Sequence, residues 1–145
     1  IIEEVKPPAA KSEFRLFNGK KPRILVVENE ETNLKYLLHN LRKICHVDAA
    51  SDGPSSIQKA AEQQYDAVLM DINLGASMNG MMAAQLIREV SGYQDIPIAA
   101  VTANAMLGQK EEFLRNGCTH YIAKPFTPAQ LKDLLAEMLT GKTVS

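Results

Sequence analysis

Apolar residues along the chain form two patterns that alternate from the amino end to the carboxyl end. The first is a short continuous run, seen at positions 24–27, 67–70, 98–101 and 121–123, and residues 46–50 are predicted to be a further, short strand. A strand that is covered by helices on both faces shows a continuous apolar run rather than an alternating one. Each run is therefore predicted to be a buried β-strand.

The second pattern lies between the runs and repeats every three or four residues, the period of an α-helix. The apolar stripes of the five predicted helices are Leu34, Leu37, Leu38, Leu41 and Ile44; Ile57, Ala60 and Ala61; Ala83, Leu86, Ile87 and Val90; a weak stripe in 105–115; and Leu131, Leu134, Leu135, Met138 and Leu139. Pro54 suits a helix start, and Asn116-Gly117 suits a helix end. Strand–helix–strand units in this order form a parallel sheet with helices on both faces. The predicted fold is α/β: a flavodoxin-like, doubly wound, five-stranded parallel sheet of order 2-1-3-4-5, with five helices.

Residues 1–20 differ in composition from the rest of the chain. Pro7 and Pro8 interrupt regular structure and Asn18-Gly19 precedes the first strand, so this segment is predicted to be a linker or N-terminal extension. Two interpretations stay open: a disordered tail, or a tether to an upstream domain with the apolar patch at 14–17 docked on this one. Residues 21–141 are predicted to form one domain, followed by a C-terminal tail at 142–145.

Charge and composition exclude several classes of function. The 145 residues include 16 basic and 17 acidic ones, for a net charge of −1. This balance gives no excess of positive charge of the kind that binds nucleic acid or an anionic membrane surface. The apolar runs are too short to span a bilayer. Cys45 and Cys118 do not have metal-binding spacing, and we expect them to be reduced, buried thiols of a cytoplasmic protein.

Polar residues able to carry chemistry follow the predicted strands. They are Glu28 and Asn29 after the first strand, Asp71 after the third, Thr102 after the fourth and Lys124 after the fifth. In open α/β sheets, ligands bind beyond the carboxyl ends of the strands, where the strand order reverses. A lone aspartate after a strand is often only a helix cap, but a cap does not explain a hydroxyl and a cation at the next two strand ends. We therefore expect one pocket at this edge, with Thr102 and Lys124 on its far side.

Four segments resemble the receiver domain of two-component response regulators, in order and at matching spacings. They lie within a stretch from Pro22 to Leu139, at positions 24–30 (ILVVENE), 65–74 (YDAVLMDINL), 100–105 (AVTANA) and 121–126 (YIAKPF). The resemblance implies a domain that takes a phosphoryl group from a histidine kinase or a histidine phosphotransfer protein.

The resemblance also assigns the roles at the phosphoryl site. Asp71 matches the phosphoacceptor, and Lys124 matches the cation that pairs with the phosphoryl group. Glu28, Asn29 and Asp71, with the backbone carbonyl of Asn73, match the positions that hold Mg²⁺. The Lys124–Pro125 peptide is expected to be cis, as in the family.

The remaining matches concern switching and lifetime. Thr102 matches the hydroxyl that moves toward the phosphoryl group, and Tyr121 matches the aromatic residue that swings inward after it. Asn73, Ala103 and Asn104 match positions that tune hydrolysis.

The chain departs from the family pattern at two positions. Asn29 stands where a second carboxylate is usual, and an amide brings no charge to a hard cation. We therefore predict weak Mg²⁺ binding before phosphorylation. Gly75 stands where the family usually has proline, and the loop 75–77 is expected to be more mobile for that reason.

The sequence favours a phosphorylation-controlled switch that is not itself a turnover enzyme. We expect it to be the C-terminal receiver of a hybrid histidine kinase, which could be membrane-anchored, rather than a stand-alone regulator. A homodimer through the fourth helix, fifth strand and fifth helix is a further expectation. The alternative is a pseudo-receiver, an interaction module that Asn29 leaves unphosphorylated. A flavin carrier is disfavoured because the loop 28–31 is acidic, and an aspartate-nucleophile phosphatase is disfavoured because Asn73 replaces its second carboxylate.

Overall fold

The computed structural model describes residues 21–75, 78–103 and 109–141. The strands within these ranges are β1 (Arg23–Val27), β2 (His46–Ala50), β3 (Ala67–Asp71), β4 (Ile98–Thr102) and β5 (His120–Ala123). The helices are α1 (Glu31–Leu41), α2 (Gly53–Glu62), α3 (Gly80–Arg88), α4 (Gln109–Arg115) and α5 (Pro128–Thr140). The predicted segments 1–20 and 142–145, and Asn104, lie outside the described residues.

The strands form one parallel sheet in the order β2-β1-β3-β4-β5. The predicted fold and strand order are confirmed. In the register, Val27 pairs with Ala50 on one side and Met70 on the other, and Thr102 pairs with Ala123. The carboxyl ends of β1, β3, β4 and β5 therefore meet along one edge.

The core has two layers, one on each face of the sheet. On one face, alternate strand residues such as Ile24 and Leu69 pack against α1 and α5. On the other face, their neighbours such as Leu25 and Met70 pack against α2, α3 and α4. Because these strand side chains are fully buried on both faces, the sequence shows continuous apolar runs.

Side-chain caps fix the start of three helices. Asp52 accepts a hydrogen bond from the Ser55 N–H at the start of α2, where Pro54 occupies the first turn as predicted. Asn79 caps α3 in the same way. Thr127 and Gln130 form a reciprocal capping box at the start of α5, which satisfies two backbone donors of its first turn.

The boundaries differ from the sequence prediction in a few places. Helix α1 ends at Leu41, so the buried Ile44 follows the helix rather than belonging to its stripe. Ala61 and Leu86 are exposed although the period placed them on apolar faces. Of the predicted helix 105–115, the structure describes only the part from Gln109.

Both cysteines are buried and free, as expected. Within the described ranges, no helix has the length and apolar character that a bilayer crossing demands.

Candidate functional site

Two buried carboxylates lie side by side at the carboxyl edge of the sheet. Glu28 follows β1 and Asp71 ends β3, and these two strands are neighbours. Only 1% of Glu28 and 3% of Asp71 is exposed. The backbone N–H of Glu30 donates to Glu28 Oε2 at 3.1 Å, and the N–H of Asn73 donates to Asp71 Oδ1 at 3.1 Å. The loop backbone after each strand thus orients each carboxylate.

The pKa of Glu28 reflects its burial and the neighbouring Asp71 carboxylate. Burial raises the pKa of Glu28, and the hydrogen bond and negative charge of Asp71 raise it further. The Glu30 N–H and the charge of Lys124 oppose that shift. Two acids in a poorly solvated site disfavour each other's ionised form, so the pair is stabilised by any cation that reaches it.

Lys124 supplies such a cation from the end of β5. Its Nζ lies 3.4 Å from Glu28 Oε1 and 3.5 Å from Asp71 Oδ2. Its backbone N–H donates to the Thr102 carbonyl at 2.7 Å, and the peptide to Pro125 is cis, as expected. The ammonium group bridges the two carboxylates. The sequence placed Lys124 on the far side of the pocket, and the structure instead brings it between the acids.

Thr102 and Tyr121 lie on the β4–β5 side of the same edge. Thr102 is the last residue of β4 and is buried, whereas 37% of Tyr121 is exposed. The Tyr121 ring points toward α4: its centroid lies 6.5 Å from that of Phe113 and 5.9 Å from Lys110 Nζ. The aromatic ring is thus outside the core in this conformation.

The other candidate residues are solvent-exposed around the carboxylates. Asn29 follows Glu28, Asn73 lies two residues after Asp71, and Ala103 follows β4, and all three are exposed. Asn104 lies outside the described residues. The site therefore has a buried acidic floor and a rim that solvent and a partner can reach.

The donor atoms at this edge suit a hard divalent cation. Among the described residues, no group of three His, Cys, Asp or Glu side chains is arranged to hold a metal ion. The edge instead offers the carboxylates of Glu28 and Asp71, the amide of Asn29 and the backbone carbonyl of Asn73. All are oxygen donors of the type that Mg²⁺ takes. The chemistry of this donor set therefore fits Mg²⁺, with one negative charge fewer than three carboxylates would give.

A cleft of about 350 Å³ opens beside the carboxylates, between α1 and the segment after β5. Glu28, Lys124, Tyr36 and Phe126 are among the residues that line it. The sequence analysis did not select Tyr36. The available signal was an aromatic residue on α1 that falls outside the stripe of Leu34, Leu37 and Leu41, at a position where a polar residue is expected.

Comparison with known proteins gives a consistent set of matches. The family model of the response regulator receiver domain matches residues 24–136. The signal transduction histidine-protein kinase BarA of Escherichia coli K12 is 34% identical over 123 residues, which are 84% of this chain and 13% of BarA. Hybrid signal transduction histidine kinase G of Dictyostelium discoideum is 38% identical over 124 residues, 83% of this chain and 4% of that kinase. The chain thus spans a small part of the curated relatives it matches.

Two solved structures show the same architecture. The receiver domain of a sensor histidine kinase from Pseudomonas aeruginosa, with a magnesium ion coordinated in its active-site cleft, has a TM-score of 0.76 and 35% identity, covering 82% of this chain and 98% of that one. The chemotaxis protein CheY4 of Vibrio cholerae has a TM-score of 0.77 and 26% identity, covering 81% and 98%.

Proposed function

Because the chain belongs to the response regulator receiver domain family of two-component signalling, we propose that it is a phosphorylation-controlled switch whose Asp71 accepts a phosphoryl group from a phosphohistidine. One observation carries the proposal. The Lys124 ammonium lies within 3.5 Å of both the Asp71 and the Glu28 carboxylates. A cation held against a buried acidic pair is the arrangement that a transferred phosphoryl group requires.

The transfer of the phosphoryl group needs little covalent catalysis by the protein. A carboxylate oxygen of Asp71 attacks phosphorus and forms an O–P bond while the P–N bond of the phosphohistidine breaks and its electron pair returns to the imidazole. Such transfer depends on positioning and on neutralising the transferring oxygens. At about 4 Å and an effective dielectric constant near 20, each unit charge pair is worth on the order of 4 kcal/mol. Lys124 provides one of the positive charges that offset the repulsion between phosphoryl group and acids.

The oxygen donors around Asp71 are proposed to hold Mg²⁺. These donors are Glu28, Asn29, Asp71 and the carbonyl of Asn73. When bound, the ion supplies positive charge to the phosphoryl oxygens. Because Asn29 is neutral, we propose weak binding before phosphorylation and tighter binding once the phosphoryl group adds charge.

The output is a shift between two conformations of the β4–β5 side. The buried Thr102 hydroxyl is proposed to bond to the phosphoryl group and to move toward it, which leaves room for the exposed Tyr121 ring to turn inward. Asn73, Ala103 and Asn104 are proposed to set the hydrolysis rate. The altered face of α4, β5 and α5 would then serve partners or a homodimer. The donor is a histidine kinase or a histidine phosphotransfer protein, and the parent protein a hybrid histidine kinase.

A second candidate is a pseudo-receiver that binds partners without taking phosphate. The neutral amide of Asn29 favours it, because a weaker metal site slows transfer. The convergence of Lys124 on Asp71 opposes it, because an interaction module needs no cation at that point.

Phosphorylation in solution tests the proposal. The protein is incubated with Mg²⁺ and either a phosphorylated histidine phosphotransfer protein or phosphoramidate, and intact mass is followed. We expect addition of one phosphoryl group to the unsubstituted protein and none to Asp71→Asn. Lys124→Ala should slow the addition by about 100-fold, in line with loss of one preorganised charge contact. An unmodified protein at saturating Mg²⁺, with modification restored by Asn29→Asp, would instead establish the pseudo-receiver.

A further inference from the structure

Tyr36 connects α1 to the segment that carries Lys124. Its hydroxyl donates a hydrogen bond to the Phe126 carbonyl at 2.9 Å. Its ring also contacts the Phe126 ring, with centroids 5.9 Å apart and planes tilted by 57°. The two contacts reach across 90 residues of sequence and join two residues that line the cleft beside the carboxylates.

The segment between β5 and α5 is held at both ends by its own neighbours. At one end the Lys124 N–H donates to the Thr102 carbonyl at 2.7 Å. At the other end the Thr127–Gln130 capping box fixes the first turn of α5. Between these anchors, the Phe126 carbonyl is held from outside the segment by Tyr36. The helix that follows Glu28 thereby contacts the segment that follows β5.

We propose that Tyr36 is a positioning residue for phosphoryl transfer, acting through the main chain of residues 124–126 to hold the Lys124 ammonium between Glu28 and Asp71. This inference rests on the proposed function. Lysine has a flexible four-carbon stem, so its charge is placed only as well as its backbone and its partners allow. Catalysis by positioning is sensitive to displacements of about 1 Å.

The cleft gives the two parts of the Tyr36 side chain separate contributions. The hydroxyl holds the Phe126 carbonyl, and the ring lines the same cleft as Glu28 and Lys124. Loss of the hydroxyl alone removes the restraint that reaches the Phe126 carbonyl from α1, while the anchors at the two ends of the segment remain. Loss of the ring also admits water to the ion pair, which weakens the electrostatic interactions there.

The first test compares two tyrosine-to-phenylalanine changes. Tyr36→Phe removes the bond to Phe126. Tyr65→Phe removes a tyrosine hydrogen bond of 2.7 Å to the Asp48 carboxylate. Tyr65 lies ahead of β3 and away from the phosphoryl site, so this variant is the control for loss of a tyrosine hydroxyl. With phosphoramidate and Mg²⁺, we expect Tyr36→Phe to slow phosphorylation about three- to tenfold. This rate ratio corresponds to the net free energy of one hydrogen bond. We expect Tyr65→Phe to reduce stability and leave the rate unchanged. Equal rates for Tyr36→Phe and the unsubstituted protein would overturn the inference.

A double-mutant cycle shows whether Tyr36 acts through Lys124. In a Lys124→Ala background the ammonium that Tyr36 positions is gone, so Tyr36→Phe should have no further effect on the rate. The same loss in both backgrounds would assign Tyr36 a different role and sink the proposal.

A third measurement keeps the inference separate from the proposed function. If the unsubstituted protein takes no phosphoryl group, the proposed function fails, and the side-chain NMR signals of Lys124 then decide the positioning role. We expect the two Hε protons of Lys124 to have distinct shifts that converge in Tyr36→Phe and stay distinct in Tyr65→Phe. Unchanged signals in Tyr36→Phe would contradict it.

Discussion

At the scale of single residues, Asn29 is the member of the proposed metal site that carries no charge. Glu28 and Asp71 are buried and mutually repulsive, while Asn29 is exposed beside them. A carboxylate in place of the Asn29 amide would add one negative charge at the rim without a desolvation penalty as large as a buried acid pays. At the proposed metal site, the neutral amide would therefore lower the affinity for Mg²⁺ relative to a carboxylate, and Lys124 is the cation that contacts both acids in the structure.

Replacement of Asn29 by aspartate should tighten Mg²⁺ binding by about tenfold, which corresponds to ~1.4 kcal/mol. The physical reason is the added Coulomb attraction between a third carboxylate and the ion. Titration calorimetry of the unphosphorylated protein measures the effect. Gln94→Glu adds the same charge at an exposed position ahead of β4 and should leave the affinity unchanged. Equal affinities for Asn29→Asp and the unsubstituted protein would rule out Asn29 as a ligand.

At the scale of elements, the start of α3 packs directly on the backbone that carries Asp71. The Gly80 N–H donates to the Ile72 carbonyl at 2.9 Å. A Cβ at Gly80 would overlap the Asp71 carbonyl oxygen and would lie 2.7 Å from the Ile72 Cα. These are backbone atoms with no flexible side chain to give way. Gly80 thus allows α3 to pack directly against the backbone of Asp71, the proposed phosphoacceptor.

Replacement of Gly80 by alanine should therefore damage both stability and transfer. We expect a loss of about 1–3 kcal/mol in the free energy of unfolding, as for an overpacked site, and slower phosphorylation because Asp71 shifts. Gly75→Ala is the matched control: its Cβ meets nothing within 4 Å, although its φ of +92° strains an alanine. The control should lose only about 1 kcal/mol. Urea unfolding and phosphoramidate kinetics compare the two, and indistinguishable results would refute the argument.

The loop after β3 shows why one departure from the family pattern could be only partly interpreted. From the sequence, glycine in place of proline at position 75 suggests a looser loop. In the structure Gly75 has a φ of +92°, and the proline ring holds φ near −65°. The backbone here follows a path that proline cannot adopt, so the substitution changes the course of the loop. The expected mobility of 75–77 stays a prediction, since 76–77 lie outside the described residues.

Strands β1, β3 and β4 were predictable from their continuous apolar runs, which are buried on both faces. The edge strands β2 and β5 are partly exposed, and their prediction relied on the regular alternation of strands with helices. Strand ends were less predictable. Asp71 and Thr102 belong to β3 and β4 because their backbones pair with Val101 and Ala123, and backbone pairing does not depend on side-chain polarity. The contact of Tyr36 with Phe126 was not predictable, because it joins residues that no local period relates.

At the scale of the whole molecule, the helices are held to the sheet to very different degrees. Leu131, Leu134 and Leu135 are among the buried residues of α5, whereas Phe113 is the buried residue of α4 within its described span. The Tyr121 ring contacts Phe113, and Lys110 Nζ lies over the Tyr121 ring. The ring contact between Phe113 and Tyr121 places α4 beside the proposed switch residue, which supports the proposed α4–β5–α5 output face.

The same face contains a half-buried histidine that links stability to pH. His120 starts β5, and its Nε2 lies 3.8 Å from Glu137 Oε2 on α5, while its Nδ1 lies 2.7 Å from the Thr119 hydroxyl. Burial lowers the pKa of His120, and the nearby charge of Glu137 only partly opposes this. Near the ordinary pKa of about 6.5, the unfolded chain therefore binds more protons at this residue than the folded protein.

Stability should consequently fall as pH decreases from about 7.5 through 6.5 toward the lowered pKa of His120, since proton uptake favours the unfolded chain there. The stability that neutral His120 contributes is fully present above the pKa of this residue in the unfolded chain, and it is lost as the pH falls toward the lowered pKa in the folded protein. His120→Gln keeps a polar side chain but cannot titrate, so the fall in unfolding free energy between pH 7.5 and pH 5.5 should become shallower. His39→Gln, at an exposed position of α1, is the control for loss of a histidine as such. Urea unfolding at both pH values measures the slopes. A steeper slope in His120→Gln would mean that the attraction of Glu137, rather than burial, governs this residue and that acid strengthens the β5–α5 contact.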